Sequence, residues 1–150
     1  MIEDDMDIVY DALGRSDHVV MAAPIYFYNV PAQVKAVIDR SQALWTRKYV
    51  RREAAPGRPD RRQDRRGFFI GVGATRGKRL FDGTLHTIRY FFDAIDVKYA
   101  GALVYGGVDE KGEIRSHPAA MKECYEAATQ FVAGRPDRTE GERSGASGRP

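Results

Sequence analysis

Met21-Ala22-Ala23-Pro24-Ile25-Tyr26-Phe27-Tyr28-Asn29-Val30-Pro31 is the stretch on which the reading of the fold turns. The apolar run from Val19 to Ala23 stops at Pro24, three aromatics follow, and Asn29-Val30-Pro31 leads into a segment with helical spacing. A strand end feeding a helix start is where open α/β sheets hold their ligands, at the carboxyl edge of the sheet. Turns normally draw on Gly, Pro, Asn, Asp and Ser, so Tyr26-Phe27-Tyr28 needs a reason to stand there. A flat, stackable ligand is one reason. Hydrophobic anchoring of the turn, or a contact between copies of the chain, is the other.

Outward from that stretch the chain alternates between two periods. Residues 3–14 place Met6, Val9 and Leu13 on one face, with Gly14 near the end, and read as a helix. Residues 17–23 form a short buried strand. From Pro31 the apolar positions Val34, Val37, Ile38, Leu44 and Trp45 give a helix, with Pro31 in its first turn and Asn29 as a cap. Residues 50–66 lack a period, hold two Pro and dense charge, and read as a mobile loop. Gly67 to Gly73 is a second buried strand, ending in Ala74-Thr75-Arg76-Gly77-Lys78. Leu85, Ile88, Phe91, Phe92 and Ile95 fit a further helix, and residues 98–105 a third strand. After a turn at 108–112, Pro118 opens a last helix with Met121, Cys124, Tyr125, Ala128, Phe131 and Val132 inward. From Gly134 the sequence has no apolar anchor and reads as a disordered tail.

The order α-β-α-β-α-β-α implies an α/β fold with a parallel sheet and right-handed crossovers. It forms one domain over residues 1–133, followed by the tail at 134–150. Three strands make a thin sheet of a kind normally covered on both faces, and the first helix has no strand before it.

Composition narrows the function classes. Of the 150 residues 43% are hydrophobic, enough for a packed core. Between Arg47 and Arg66 nine basic residues face three acidic ones, a net of +6 against +3 for the whole chain, so the remainder is acidic overall. The basic character belongs to an insert, either a solvated connection or a contact for phosphate or an acidic partner. That insert holds one aromatic, Tyr49, which argues against nucleic-acid binding by base stacking. The single Cys124 excludes an internal disulfide and a Cys-based cluster built by this chain alone, and it reads as a buried small hydrophobe. His18, His86 and His117 lack metal-ligand spacing, and no G-x-S-x-G signature marks a hydrolase nucleophile. The apolar runs fall far short of the roughly 20 residues needed to cross a bilayer. The acidic Met1-Ile2-Glu3-Asp4-Asp5 start has no signal-peptide core. A soluble, cytoplasmic protein with no membrane partner is the expectation.

Several blocks together resemble the NAD(P)H-dependent FMN reductase family of the flavodoxin-like fold, in its iron–sulfur flavoprotein-like branch. They are Ser16-Asp17-His18-Val19-Val20, Pro24 through Lys35, Asp39-Arg40, and Gly71-Val72-Gly73-Ala74-Thr75-Arg76-Gly77, with a weaker match at Tyr105 through Ile114. Members of that family begin with a strand, a Ser/Thr/Asn/Arg-rich loop that holds the FMN phosphate, a helix and a second strand. None of these has a counterpart in this sequence. The resemblance therefore implies a flavodoxin-like three-layer sandwich, N-terminally truncated, with about three strands retained.

It further implies an FMN-dependent oxidoreductase that takes hydride from NADH or NADPH as co-substrate and passes it to a small-molecule acceptor such as a quinone or free flavin. A homodimer or higher assembly is implied, with each FMN near the subunit boundary. The cofactor-binding residues it implies are Pro24, Ile25, Tyr26, Phe27, Tyr28, Asn29 and Val30 around the isoalloxazine, and Ala74, Thr75, Arg76, Gly77 and Lys78 on its pyrimidine side. No side chain is assigned an acid–base role, because the cofactor carries the chemistry. Read alone, G-x-G-x-x-x-G at Gly71–Gly77 is also an ordinary strand-to-turn exit, and Asp39 and Arg40 a surface or interface ion pair. Two rival functions stay open: an FMN-binding electron carrier without pyridine-nucleotide activity, and a flavin-free remnant or interaction module.

Overall fold

Three strands, His18–Pro24 (β1), Arg66–Gly73 (β2) and Lys98–Gly106 (β3), pair in parallel in the order β1-β2-β3. The structure, a computed structural model, describes residues 5–51 and 65–134. Met21 stands opposite Phe69 and Phe69 opposite Ala102, so the apolar residues of neighbouring strands sit in common rows. Alternation along β2 sends Phe68, Ile70 and Val72 to one face and Phe69 with three glycines to the other. The first face packs under the helix Ala120–Val132 (α5), where Phe68, Leu103 and Tyr105 meet Ala120 and Phe131. The second face is covered by Met6–Arg15 (α1), Ala32–Arg40 (α2) and Asp82–Ala94 (α4), through Leu13, Val34, Ile38, Ile88, Phe91 and Phe92. Helices on both sides of a three-stranded parallel sheet are the three-layer arrangement read from the sequence.

The glycines of β2 set how closely the second layer approaches. A Cβ at Gly67 would lie 2.6 Å from the Phe92 ring, and one at Gly73 2.8 Å from Leu80. Bare backbone at those two places lets both side chains rest on the strand itself.

Several local expectations are corrected. β1 is covered on one face only: Ala23 is buried, while Val20 is 57% exposed and Ala22 is open. The reason is that α5 lies over β2 and β3. Among the described residues α5 reaches that face of β1 only at His18, whose ring lies 5.1 Å from that of Phe131, and nothing pairs with the outer edge of β1. On α5 the inward stripe is Ala120, Cys124, Ala127 and Phe131, whereas Met121, Tyr125 and Val132 face solvent. The helix from Pro31 breaks at buried Ser41, whose Oγ donates to the Val37 carbonyl at 2.8 Å. It resumes as Gln42–Trp45 (α3) and passes into a π-helical turn, Thr46–Arg51. Asn29 does not cap α2. Its Oδ1 accepts from the Val30 amide at 2.8 Å, and Pro31 holds the cap position without a side-chain bond.

Both ends of the expected basic loop are structured. Val50 and Arg51 belong to the π turn, Arg66 opens β2, and Arg65 is buried. The Arg65 guanidinium donates to the carbonyls of Ser16 at 3.0 Å, Ile95 at 3.1 Å and Leu13, tying α1 and α4 to the start of β2. Residues 52–64 of that loop, and the tail from 135, lie outside the described residues.

Candidate functional site

In a parallel sheet all strands end on one side, so the segments after Pro24, Gly73 and Gly106 share an edge. The first of them is a tight hairpin. Tyr26 N–H donates to Asn29 O at 2.8 Å and Asn29 N–H to Tyr26 O at 3.1 Å, closing a two-residue turn at Phe27 and Tyr28. Both residues have positive φ, 50° and 64°, the backbone of a type I′ turn. Such turns favour Asn-Gly, because a Cβ is strained there; a bulky aromatic at φ > 0 is an outlier.

The strained turn keeps its aromatics outside. Phe27 is fully exposed, and Tyr26 and Tyr28 are each about 60% exposed. Among the described residues the amides of Phe27 and Tyr28 have no hydrogen-bond partner. The flanking residues do the anchoring: Ile25 and Val30 are buried in the core, and the Ile25 amide donates to Val72 O at 2.8 Å. Pro24 closes β1 and is exposed. From below, the fully buried Thr84 in the first turn of α4 donates its hydroxyl to Tyr28 O at 3.1 Å. A rigid, floor-supported turn thus displays aromatic surface and two free amide donors.

The second segment, Ala74 to Lys78, is exposed throughout, and its amides carry no hydrogen bond among the described residues. Carbonyls of this segment and of the strand end bind the third segment: Gly107 N–H donates to Thr75 O at 3.1 Å, and Val108 N–H to Gly73 O at 3.0 Å. Gly107 has φ +75°, and a Cβ there would lie 2.7 Å from Arg76 Nε, so only glycine lets the arginine lie across this backbone. A Cβ on Gly106 would reach 2.8 Å from Thr75 O. The carboxylate of Glu113 accepts from the amides of Asp109 at 2.7 Å and Glu110 at 3.0 Å. Those amides, Glu110 first, and the nearby Arg76 cation hold its carboxyl below the usual carboxylate range. Neither Arg76 nor Lys78 makes an ion pair among the described residues, and Arg76 stabilises the Glu113 carboxylate only through its nearby charge.

The edge therefore gathers, on three neighbouring loops, the aromatic turn and the glycine loop that the sequence singles out. Three contributors escaped the sequence reading. Thr84 had a signal, a hydroxyl at the 84/88/91 positions of an otherwise apolar stripe. Gly106-Gly107 and Glu113 lie in the weaker match at Tyr105 through Ile114 but carried no site role there, since Thr75 and Arg76, against which they pack or which they balance, are more than 30 residues away. No group of three or more His, Cys, Asp or Glu able to hold a metal is found among the described residues, and none of their helices is long and apolar enough to cross a membrane.

Residues 2–131 match the sequence profile of the flavodoxin-like fold. The chain belongs to that family. It is 30% identical over 119 residues to an iron-sulfur flavoprotein of Methanosarcina thermophila, covering 79% of this chain and 53% of that protein. To an iron-sulfur flavoprotein of Methanocaldococcus jannaschii it is 33% identical over 92 residues, 60% of this chain and 40% of that protein. The flavodoxin-like chain thus spans about half the length, or less, of these relatives. Among solved structures, the Trp repressor binding protein of Bacillus subtilis superposes with a TM-score of 0.59 at 20% identity, over 85% of this chain and 76% of that one. An NADPH-quinone reductase from P. pentosaceus gives 0.52 at 14% identity, over 87% and 76%. These likenesses place the fold.

Proposed function

We propose that this chain binds FMN at the carboxyl edge of its sheet and serves a flavin-dependent oxidoreductase that moves hydride from NAD(P)H to a small acceptor. The observation that carries the reading is the Tyr26–Asn29 turn: three exposed aromatics on a strained backbone, two unpaired amides, and a glycine loop beside them. Strain of this kind persists where surrounding structure holds it, and it clusters at ligand sites. That relatives of this chain are flavoproteins supports a flavin as the planar ligand.

The residues fit such a ring. Phe27 and Tyr28 amides offer donors to its polar edge, and the aromatic side chains offer stacking surface. The unpaired amides of Thr75 to Gly77 and the Lys78 ammonium would hold the side of the ring on which negative charge develops on reduction, and fixed donors there would favour the reduced state. The bound flavin would supply the hydride and electron chemistry, while this chain binds and orients the ring.

Titrating the purified chain with FMN tests the proposal. Quenching of flavin fluorescence is expected, weakened several-fold by Tyr28→Ala with Phe27→Ala. Unchanged FMN emission at saturating protein would overturn it. Bleaching of the bound flavin by NADPH or NADH separates the enzyme from a carrier that does not use pyridine nucleotide.

A further inference from the structure

At the edge opposite the loops the three strands begin side by side, and their register sets three basic residues in one row. His18 stands opposite Arg66, and Arg66 opposite Lys98. All three leave the sheet on the same face. The next residues along β2 and β3, Gly67 and Tyr99, pack against Phe92 of α4 on the other face, which sends Arg66 and Lys98 to the α5 side. There the His18 ring lies 5.1 Å from that of Phe131. Neighbouring strands are about 4.8 Å apart, so the row spans about 10 Å.

Like charges directly opposite one another on a sheet destabilise it. Among the described residues, none of the three makes an ion pair that would offset this. Arg66 is half-buried and held in place. Its guanidinium lies over Gly134 at the end of α5, where a Cβ would come within 2.7 Å of Nη1, and it reaches the Phe131 carbonyl only at 3.4 Å. Most of the guanidinium's N–H donors therefore stay open. The Lys98 ammonium and the His18 imidazole flank it, both exposed. Arg66 also ends the basic segment Arg47–Arg66, so the charge of that segment runs on into the row.

We propose that the His18–Arg66–Lys98 row binds a linear phosphate chain, a di- or triphosphate. The sign of the charge requires an anion, and the planar fork of Arg66 matches two oxygens of a phosphoryl group at once. The length of the row selects the chain. A lone carboxylate or a single phosphate would leave one end of it unneutralised, whereas phosphoryl groups in line meet all three side chains. The site lies at the amino ends of the strands, away from the aromatic turn, and stands independently of the flavin reading.

Isothermal titration calorimetry of the full chain with orthophosphate, pyrophosphate and tripolyphosphate at low salt tests the proposal. One site per chain is expected, about tenfold tighter for tripolyphosphate than for orthophosphate. Lys98→Glu should weaken tripolyphosphate binding about tenfold or more. Arg66→Lys, which keeps the charge and loses the fork, should weaken it several-fold, far-UV circular dichroism confirming the fold of both. ADP that binds as pyrophosphate does would identify a nucleotide diphosphate as the source, and ADP excluded while pyrophosphate binds would identify a free phosphate chain. Tripolyphosphate binding equal in Lys98→Glu and the parent would overturn the proposal, because it would belong to other arginines of the basic segment. So would the absence of binding by any of the three anions. A DNA duplex that displaces tripolyphosphate would overturn it too, by assigning the row to a nucleic-acid backbone. No flavin enters this assay, so failure of FMN binding leaves its outcome untouched.

Discussion

Replacing Phe27-Tyr28 by Asn-Gly should make the protein more stable and less able to bind its planar ligand. Both residues sit at positive φ, 50° and 64°, where an L-residue with a bulky side chain costs about 1–2 kcal/mol each. Asn keeps part of that cost, and Gly gives back about 0.5–1 kcal/mol through the freedom it gains in the unfolded chain. Little burial is lost in exchange: Phe27 is fully exposed and Tyr28 mostly so. The net expectation is a gain of about 1–2 kcal/mol, a rise in Tm of about 4–8 °C for a domain of this size. Differential scanning calorimetry reads the shift, and FMN titration of the same variant reads the loss. A Tm that stays put or falls would show that the two aromatics are packed or relaxed rather than strained, and the case for a functional turn would go with it.

Arg65→Ala should cost about 3 kcal/mol in urea unfolding with an unchanged slope, since it leaves three carbonyls without their charged donor. Thr84→Val, which keeps the volume, should cost about 1–2 kcal/mol by stranding Tyr28 O and should loosen FMN binding as well; an effect on stability alone would unlink floor and turn. Gly106→Ala drives a Cβ against Thr75 O and should cost about 1–3 kcal/mol while displacing the glycine loop, visible as amide shifts at Thr75 to Gly77. Glu113 has a folded-state pKa below its ordinary value, so its stabilising effect is present above the unfolded carboxylate range and lost as pH falls through the folded value. Glu113→Gln should therefore unfold more easily than the parent at neutral pH, and the two should converge in acid; a constant difference at all pH values contradicts that origin.

The α/β alternation was legible because the strands are short apolar runs and α1, α4 and α5 carry a 3.6-residue stripe. Those periods give the parallel sheet with its crossover helices, and the resemblance supplies the three-layer sandwich. What the periods could not say is how far a layer extends. Val20 and Ala22 read as core because β1 is apolar on both sides, yet α5 stops short of covering them. Met121, Tyr125 and Val132 read as inward for the same reason, since an apolar stripe records only that a surface dislikes water. Ser41 and Asn29 show the limit of local chemistry: one breaks a helix by bonding back to Val37, and the other spends its side chain on the adjacent amide. At the loop edge the aromatic triplet declared itself by being out of place. Its positive φ angles were invisible, and Thr84 showed only as a hydroxyl on an apolar stripe, because its bond to Tyr28 joins residues 56 positions apart.

The bare backbone of β2 has a mechanical consequence. With Phe92 of α4 pressed onto Gly67, and Leu80 just before α4 onto Gly73, the helix packs directly against bare strand backbone, and its first turn carries the hydroxyl that props the aromatic hairpin. The height of that hairpin is therefore set in the protein's interior. A single methyl group added at Gly67 would lift the far end of the lever, and grip on a flat molecule at the rim would change without any residue at the rim being touched.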